Sequence, residues 1–189
     1  EDHMHPYEMI RLLDQRYRGR MVRVTNGTLY HTVARLEQAG LIAEVGTDRD
    51  GNRPERTTYA LTEAGREALT GWVRERLSRT DRGPDFRAAL AEAHNLDLAE
   101  VIELIGDRRA ALAAERETSR TGLASARERG VPEQYLVELG RHDALLVAEL
   151  AWTDDFLARV GRGDVPWGVD DRPSPHAAEH QHRRKAVRE

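Results

Sequence analysis

Residues 25–65 constrain this chain more than any other stretch. They open Thr25-Asn26-Gly27-Thr28-Leu29-Tyr30 and continue to Arg35-Leu36-Glu37-Gln38-Ala39-Gly40-Leu41-Ile42. An arginine-rich segment follows, and the stretch closes Tyr59-Ala60-Leu61-Thr62-Glu63-Ala64-Gly65. Leu29, Val33 and Leu36 recur at helical spacing and predict a buried stripe. Thr25 suits the start of that helix, because its hydroxyl can accept from a first-turn amide. Gly40 predicts a left-handed stop, with Leu41 folding back on the last turn. Residues 42–45 and 57–61 predict two short strands, joined by 46–56, which is dense in turn formers. Thr62 predicts a cap for the next helix, whose apolar face is Leu69, Trp72, Val73 and Leu77.

Helix, two-stranded ribbon, helix is the plan of a winged helix-turn-helix. A short exposed helix followed by a basic hairpin fits a DNA major groove and the phosphates beside it. The face away from the Leu29 stripe offers Thr25, Asn26, Thr28, Tyr30, His31 and Arg35. Asn and Thr can read base edges, Tyr30 can reach a phosphate or sugar, and His31 and Arg35 can reach phosphates. Gly27 allows close backbone approach. In the hairpin, Arg49, Arg53 and Arg56 are the expected phosphate or minor-groove contacts. His31 has no second metal ligand at helical spacing, and Asp48-Arg-Asp-Gly51 lacks the closing acid of a calcium loop. No cofactor and no metal site is expected.

Net charge is −4, which argues at first against a nucleic-acid partner. Its distribution argues otherwise. Residues 1–82 carry 14 Arg against 13 acids, residues 83–172 carry 11 against 18, and residues 16–56 carry eight against five. Positive charge is thus concentrated around the candidate interface. There is no cysteine, so disulfides and Cys-based zinc sites are excluded and a cytoplasmic location is expected. No apolar run approaches the roughly 20 residues that span a bilayer.

Before the constrained stretch, His5-Pro6-Tyr7 predicts a helix start, with Ile10, Leu13 and Tyr17 on one face. After it, Thr80-Asp-Arg-Gly-Pro84 reads as a domain boundary. The remainder is helical. Phe86–His94 predicts a short segment, and Asp97 with Glu100 predicts a capping box for a long helix reaching about Arg129. Gly130-Val-Pro132 opens the last long helix. Its Leu139, Leu146, Leu150, Leu157 and Val160 follow a coiled-coil spacing and are the expected dimer seam. Trp72, Tyr135 and Trp152 are the aromatic candidates for lining a ligand pocket. The Gly-, Pro- and His-rich end is expected to be disordered, with no metal role for His176, His180 and His182. The expected fold is mainly α. A winged helix-turn-helix with a two-stranded β wing occupies residues 1–80, a long-helix dimerisation domain 85–162 and a disordered tail 163–189.

Four motifs together resemble the PadR family of bacterial transcriptional regulators: His5-Pro6-Tyr7-Glu8-Met9, Gly27-Thr28-Leu29-Tyr30, Leu36-Glu37 with Gly40-Leu41-Ile42, and Tyr59 to Gly65. Glu149-Leu150-Ala151-Trp152 resembles the end of the family's C-terminal helix, and the long second half resembles its larger subgroup. By this resemblance the chain starts where the family's second helix starts, a leucine-rich helix preceding it in other members. Pro6 stands where the family usually has glycine. The resemblance implies a homodimer on a palindromic double-stranded operator, usually repressing, with a small aromatic or drug-like effector releasing some members. The alternative is a protein-interaction scaffold that keeps the fold without specific DNA binding. An enzyme is not expected: no nucleophile–base pair, phosphate-cradling loop or carboxylate pair is present, and His142-Asp143 point in different directions on a helix.

Overall fold

A computed structural model describes residues 3–17, 25–48 and 56–168. Helix α1 spans Pro6–Tyr17, α2 Asn26–Gln38, β1 Ile42–Asp48, β2 Arg56–Leu61, α3 Glu63–Ser78, α4 Pro84–Glu92, α5 Leu98–Glu128 and α6 Val137–Gly161. Short 3-10 turns lie at Ala93–Asn95 and Glu133–Tyr135. The chain forms two compact units, Glu1–Ala93 and His94–Glu189.

In the first unit, α1 begins with a reciprocal cap. The Tyr7 amide donates to His5 Nδ1 (3.0 Å) and the His5 amide donates to Glu8 Oε2 (3.1 Å), which occupies two amides left without helical partners. Pro6 sits at the first helical position. Just before it, Met4 and Tyr59 exchange backbone hydrogen bonds at 3.0 Å each, so the chain start is stitched to β2. Leu29 and Val33 of α2 are buried. Leu36 is half-buried, because an apolar groove of about 260 Å³ runs along Met9, Leu12, Leu13, Leu29, Leu36 and Ile42.

Helix α2 stops as expected at Gly40. The Leu41 amide reaches Leu36 O (2.9 Å) and the Gly40 amide reaches Glu37 O (2.8 Å), with Gly40 at φ 71°. Strands β1 and β2 are antiparallel, pairing Ile42 with Leu61 and Asp48 with Arg56. A bulge between Glu44 and Gly46 leaves Val45 without a cross-strand partner in the register. The ribbon is longer than the sequence indicated, since Gly46, Thr47 and Asp48 join β1. Thr62 caps α3 by accepting from the Gly65 amide (3.0 Å), while its hydroxyl donates to Gly40 O (2.7 Å). The break at 80–84 separates α3 from α4, but α4 packs back on α3, and the units divide after Ala93.

The second unit is an antiparallel hairpin of α5 and α6. Arg108 meets Glu149 at 3.3 Å, Arg116 meets Asp143 at 3.3 Å, His142 meets Glu115 at 3.1 Å, and Arg109 pairs with Asp154. The seam of α5 is Val101, Ile105, Arg108 and Leu112, all fully buried. That of α6 is Leu146, Thr153 and Val160, seven residues apart and buried. Burying each leucine of this kind is worth about 1.5–3 kcal/mol. The hairpin corrects three sequence-based expectations. Asp97 occupies the start of α5 but makes no side-chain cap there; the Val101 amide bonds Asp97 O instead (3.0 Å). Gly130 ends α5 at φ 71°, and a 3-10 turn intervenes before α6, so Tyr135 lies ahead of the helix and not on it. Residues after α6 return to the start of the unit: Trp167 Nε1 donates to Leu96 O (3.0 Å).

Candidate nucleic-acid interface

Helix α2 is fixed at both ends and on one side, which sets its other side outward. At its start Thr25 has an extended backbone (φ −87°, ψ 157°), and its hydroxyl accepts from the Thr28 amide at 3.3 Å. The two threonine hydroxyls are 2.8 Å apart. Thr32 is turned back on the helix, donating to Thr28 O (2.8 Å).

At about 100° per residue, the row opposite Leu29, Val33 and Leu36 is Gly27, His31, Ala34 and Gln38. All four are exposed. Thr28 and Arg35 flank this row on one side, both exposed, and Tyr30 flanks it on the other at 51% exposure. Five of the expected residues, Thr25, Thr28, Tyr30, His31 and Arg35, are thus exposed, four of them on the outward half of the helix and Thr25 at its start. Asn26 opens α2. Gln38, not among the residues expected from the sequence, extends the outward row by one turn at the same helical period that gives the core stripe.

The ribbon follows α2 after three residues. Its described part carries Glu44, whose carboxylate accepts from Thr47 Oγ1 (2.6 Å), and Asp48, which pairs in register with Arg56. Arg49 and Arg53 lie outside the described residues, and Arg56 is placed by its backbone in β2. At the foot of the ribbon, burial first, then Glu37 and Glu44, raise the Tyr59 phenol above its ordinary pKa and keep it neutral.

The other candidates separate. Leu146 and Val160 are buried within one copy of the hairpin, whereas Leu139, Leu150 and Leu157 are half-buried. Trp152, 38% exposed, stacks on Phe156 with ring centroids 5.5 Å apart, and Phe156 meets Trp167 edge-on at 6.4 Å. Tyr135 is 69% exposed and lies before α6, roughly 22 Å along the helix from Trp152 at 1.5 Å per residue, so the two do not share a pocket in one copy. Trp72 is half-buried on α3 in the first unit. Among the described residues no group of three or more His, Asp or Glu is placed to hold a metal ion, and no helix is long and apolar enough to cross a membrane.

Residues 1–71 match the family described as the transcriptional regulator PadR-like family. This matched segment is less than half of the chain. It contains α1, α2 and the whole ribbon, and it ends within α3. The PadR-like family is one of transcription regulators and not of enzymes. A search of curated proteins gave no match. Solved structures similar to the chain include Bacillus subtilis PadR in complex with operator DNA, at 17% identity over 82% of this chain and 90% of that one, TM-score 0.37. A PadR-like transcriptional regulator from Bacillus cereus is 16% identical over 86% and 92%, TM-score 0.40. Bacillus subtilis PadR in complex with p-coumaric acid is 18% identical over 84% and 91%, TM-score 0.33. Likenesses of this extent carry no residue role across.

Proposed function

We propose that the chain is a sequence-specific DNA-binding transcriptional regulator, acting as a homodimeric repressor at the nucleoid in the cytoplasm. The observation that supports this best is the outward half of α2. A helix capped at both ends presents Thr28, Tyr30, His31 and Arg35 to solvent within the segment that matches the PadR-like family. Thr25, Asn26, Thr28 and Tyr30 at the start of α2 read the major groove. Arg49, Arg53 and Arg56 neutralise phosphates beside it.

One copy reads one half-site. The second copy is recruited by the apolar surface that α6 leaves uncovered, with Val137 69% and Val147 42% exposed and Ala144 and Ala151 exposed between and beyond them. Leu139, Leu150 and Leu157 border this surface, and Leu146 and Val160 support it from within the hairpin. An aromatic effector would stack on Trp152, whose ring Phe156 already holds flat.

Footprinting on DNA from the chain's own promoter region tests this reading. The expected result is a pair of protected half-sites about 34–36 Å apart, one helical turn, which merge into a palindrome. Uniform or absent protection on that DNA contradicts it and favours the scaffold.

A further inference from the structure

Gly27 and Gly65 stand in two of the PadR-like motifs, Gly27-Thr28-Leu29-Tyr30 and Tyr59 to Gly65, and the structure treats them oppositely. A Cβ on Gly65 would collide with the Leu41 carbonyl, so the fold itself requires that glycine. A Cβ on Gly27 meets no described atom within 4 Å. Gly27 lies within α2 and is not among the glycines with a left-handed backbone, so no turn requires it either. Glycine in a helix costs conformational entropy that alanine would not.

Other helical glycines, such as Gly71 and Gly122, are equally unhindered and exposed. Gly27 differs in its place. It begins the outermost row of α2, directly opposite the Leu29 and Val33 stripe. Next in that row, His31 rises from the surface, while Ala34 after it offers only a methyl group. Tyr30 on one flank and Thr28 with Arg35 on the other are exposed and carry the side chains that Gly27 lacks. The first turn is therefore a saddle, low along its middle and walled by side chains that can donate to phosphates and base edges.

We propose that Gly27 is a positioning residue for DNA: its missing side chain sets the depth to which the first turn of α2 enters the major groove. This rests on the DNA-binding reading. With Gly27 the backbone of the first turn approaches the duplex directly, and Thr28 and Tyr30 reach the base edges and phosphates on either side. A methyl group at this position holds the helix off by about the thickness of a CH₃, beyond hydrogen-bond range for short side chains such as Thr28.

The test compares the full chain with Gly27→Ala and Gly71→Ala, the latter an exposed helical glycine of the same unit on a different helix. Thermal unfolding and binding to a duplex of the chain's own promoter region are measured for each. The expected result is an unchanged or raised melting temperature for both variants, a binding constant at least tenfold weaker for Gly27→Ala, and unchanged binding for Gly71→Ala. Binding by Gly27→Ala equal to wild type overturns the proposal while leaving the DNA reading intact. A lowered melting temperature for Gly27→Ala also overturns it, by showing that the fold needs the glycine. Failure of the wild type to prefer its promoter duplex over random DNA removes the DNA reading and the proposal together.

Discussion

Gly65 lies against the carbonyl of Leu41 so closely that a Cβ on it would stand 2.0 Å from the Leu41 oxygen and 2.8 Å from Leu61 Cδ1. The same carbonyl accepts from the Thr62 amide at 3.1 Å, so it cannot move aside without breaking the α3 entry. Gly65→Ala is therefore expected to separate α3 from the ribbon and to lower stability by about 1–3 kcal/mol or more. Urea unfolding measures it; an unchanged midpoint would show that this contact is not tight.

Arg108 is completely buried beside a three-quarters-buried Glu149, at 3.3 Å. Removing the carboxylate takes an ion-pair partner from a fully buried cation, whereas replacing the cation by an apolar chain of similar length removes the buried charge as well. Glu149→Ala should cost about 2 kcal/mol or more, below the full buried-pair range because Glu149 keeps some solvent. Arg108→Met should cost less than that. Denaturant midpoints for the two variants give the order, and the reverse order would refute the argument.

Much of this was legible before the structure, for a physical reason. Caps and helix stops are local, so Thr25, Gly40 and Thr62 could be read from a few neighbours. The core stripe Leu29–Val33 followed from periodicity, and the outward face of α2 from the same period. Contacts between distant segments were not legible. Nothing around Gly65 signals the Leu41 carbonyl, and nothing around Met4 signals its pairing with Tyr59. Arg108 falls on the apolar phase of α5, but hydropathy assigns an arginine to the surface. The α6 stripe was legible as apolar, yet periodicity does not say whose residues cover it. Leu146 and Val160 are buried within the chain itself, and what stays exposed on α6 is Val137 and Val147.

Trp167 ties the end of the second unit to its beginning through Leu96 O. Trp167→Phe keeps a ring beside Phe156 but deletes the donor, leaving a carbonyl of the buried Leu96 unsatisfied. The expected loss is about 1 kcal/mol, with Trp167→Ala losing more. Equal stability of all three proteins in urea would mean that this strap holds nothing.

Tyr59 sets a pH dependence at the foot of the ribbon. Its folded pKa is raised by burial, Glu37 and Glu44, above the unfolded value of about 10. The neutral phenol is therefore the form the fold favours. Its contribution is fully present below pH of about 10 and is lost as pH rises through the folded pKa. Phenolate absorbance of wild type minus Tyr59→Phe should show an ionisation later than that of free tyrosine, and Glu44→Gln should bring it earlier. An ionisation at or below the free value would contradict the placement of Glu44 and Glu37.

If α2 with Arg49, Arg53 and Arg56 grips DNA as proposed, binding to the promoter duplex must depend steeply on salt. Each neutralised phosphate contributes a slope of about −0.9 in log affinity against log salt. Wild type should show a steep slope, Arg53→Ala a slope shallower by about one, and Tyr30→Ala at least about tenfold weaker binding, worth ~1.4 kcal/mol. Affinity that is insensitive to salt, or that survives both substitutions undiminished, would contradict the account.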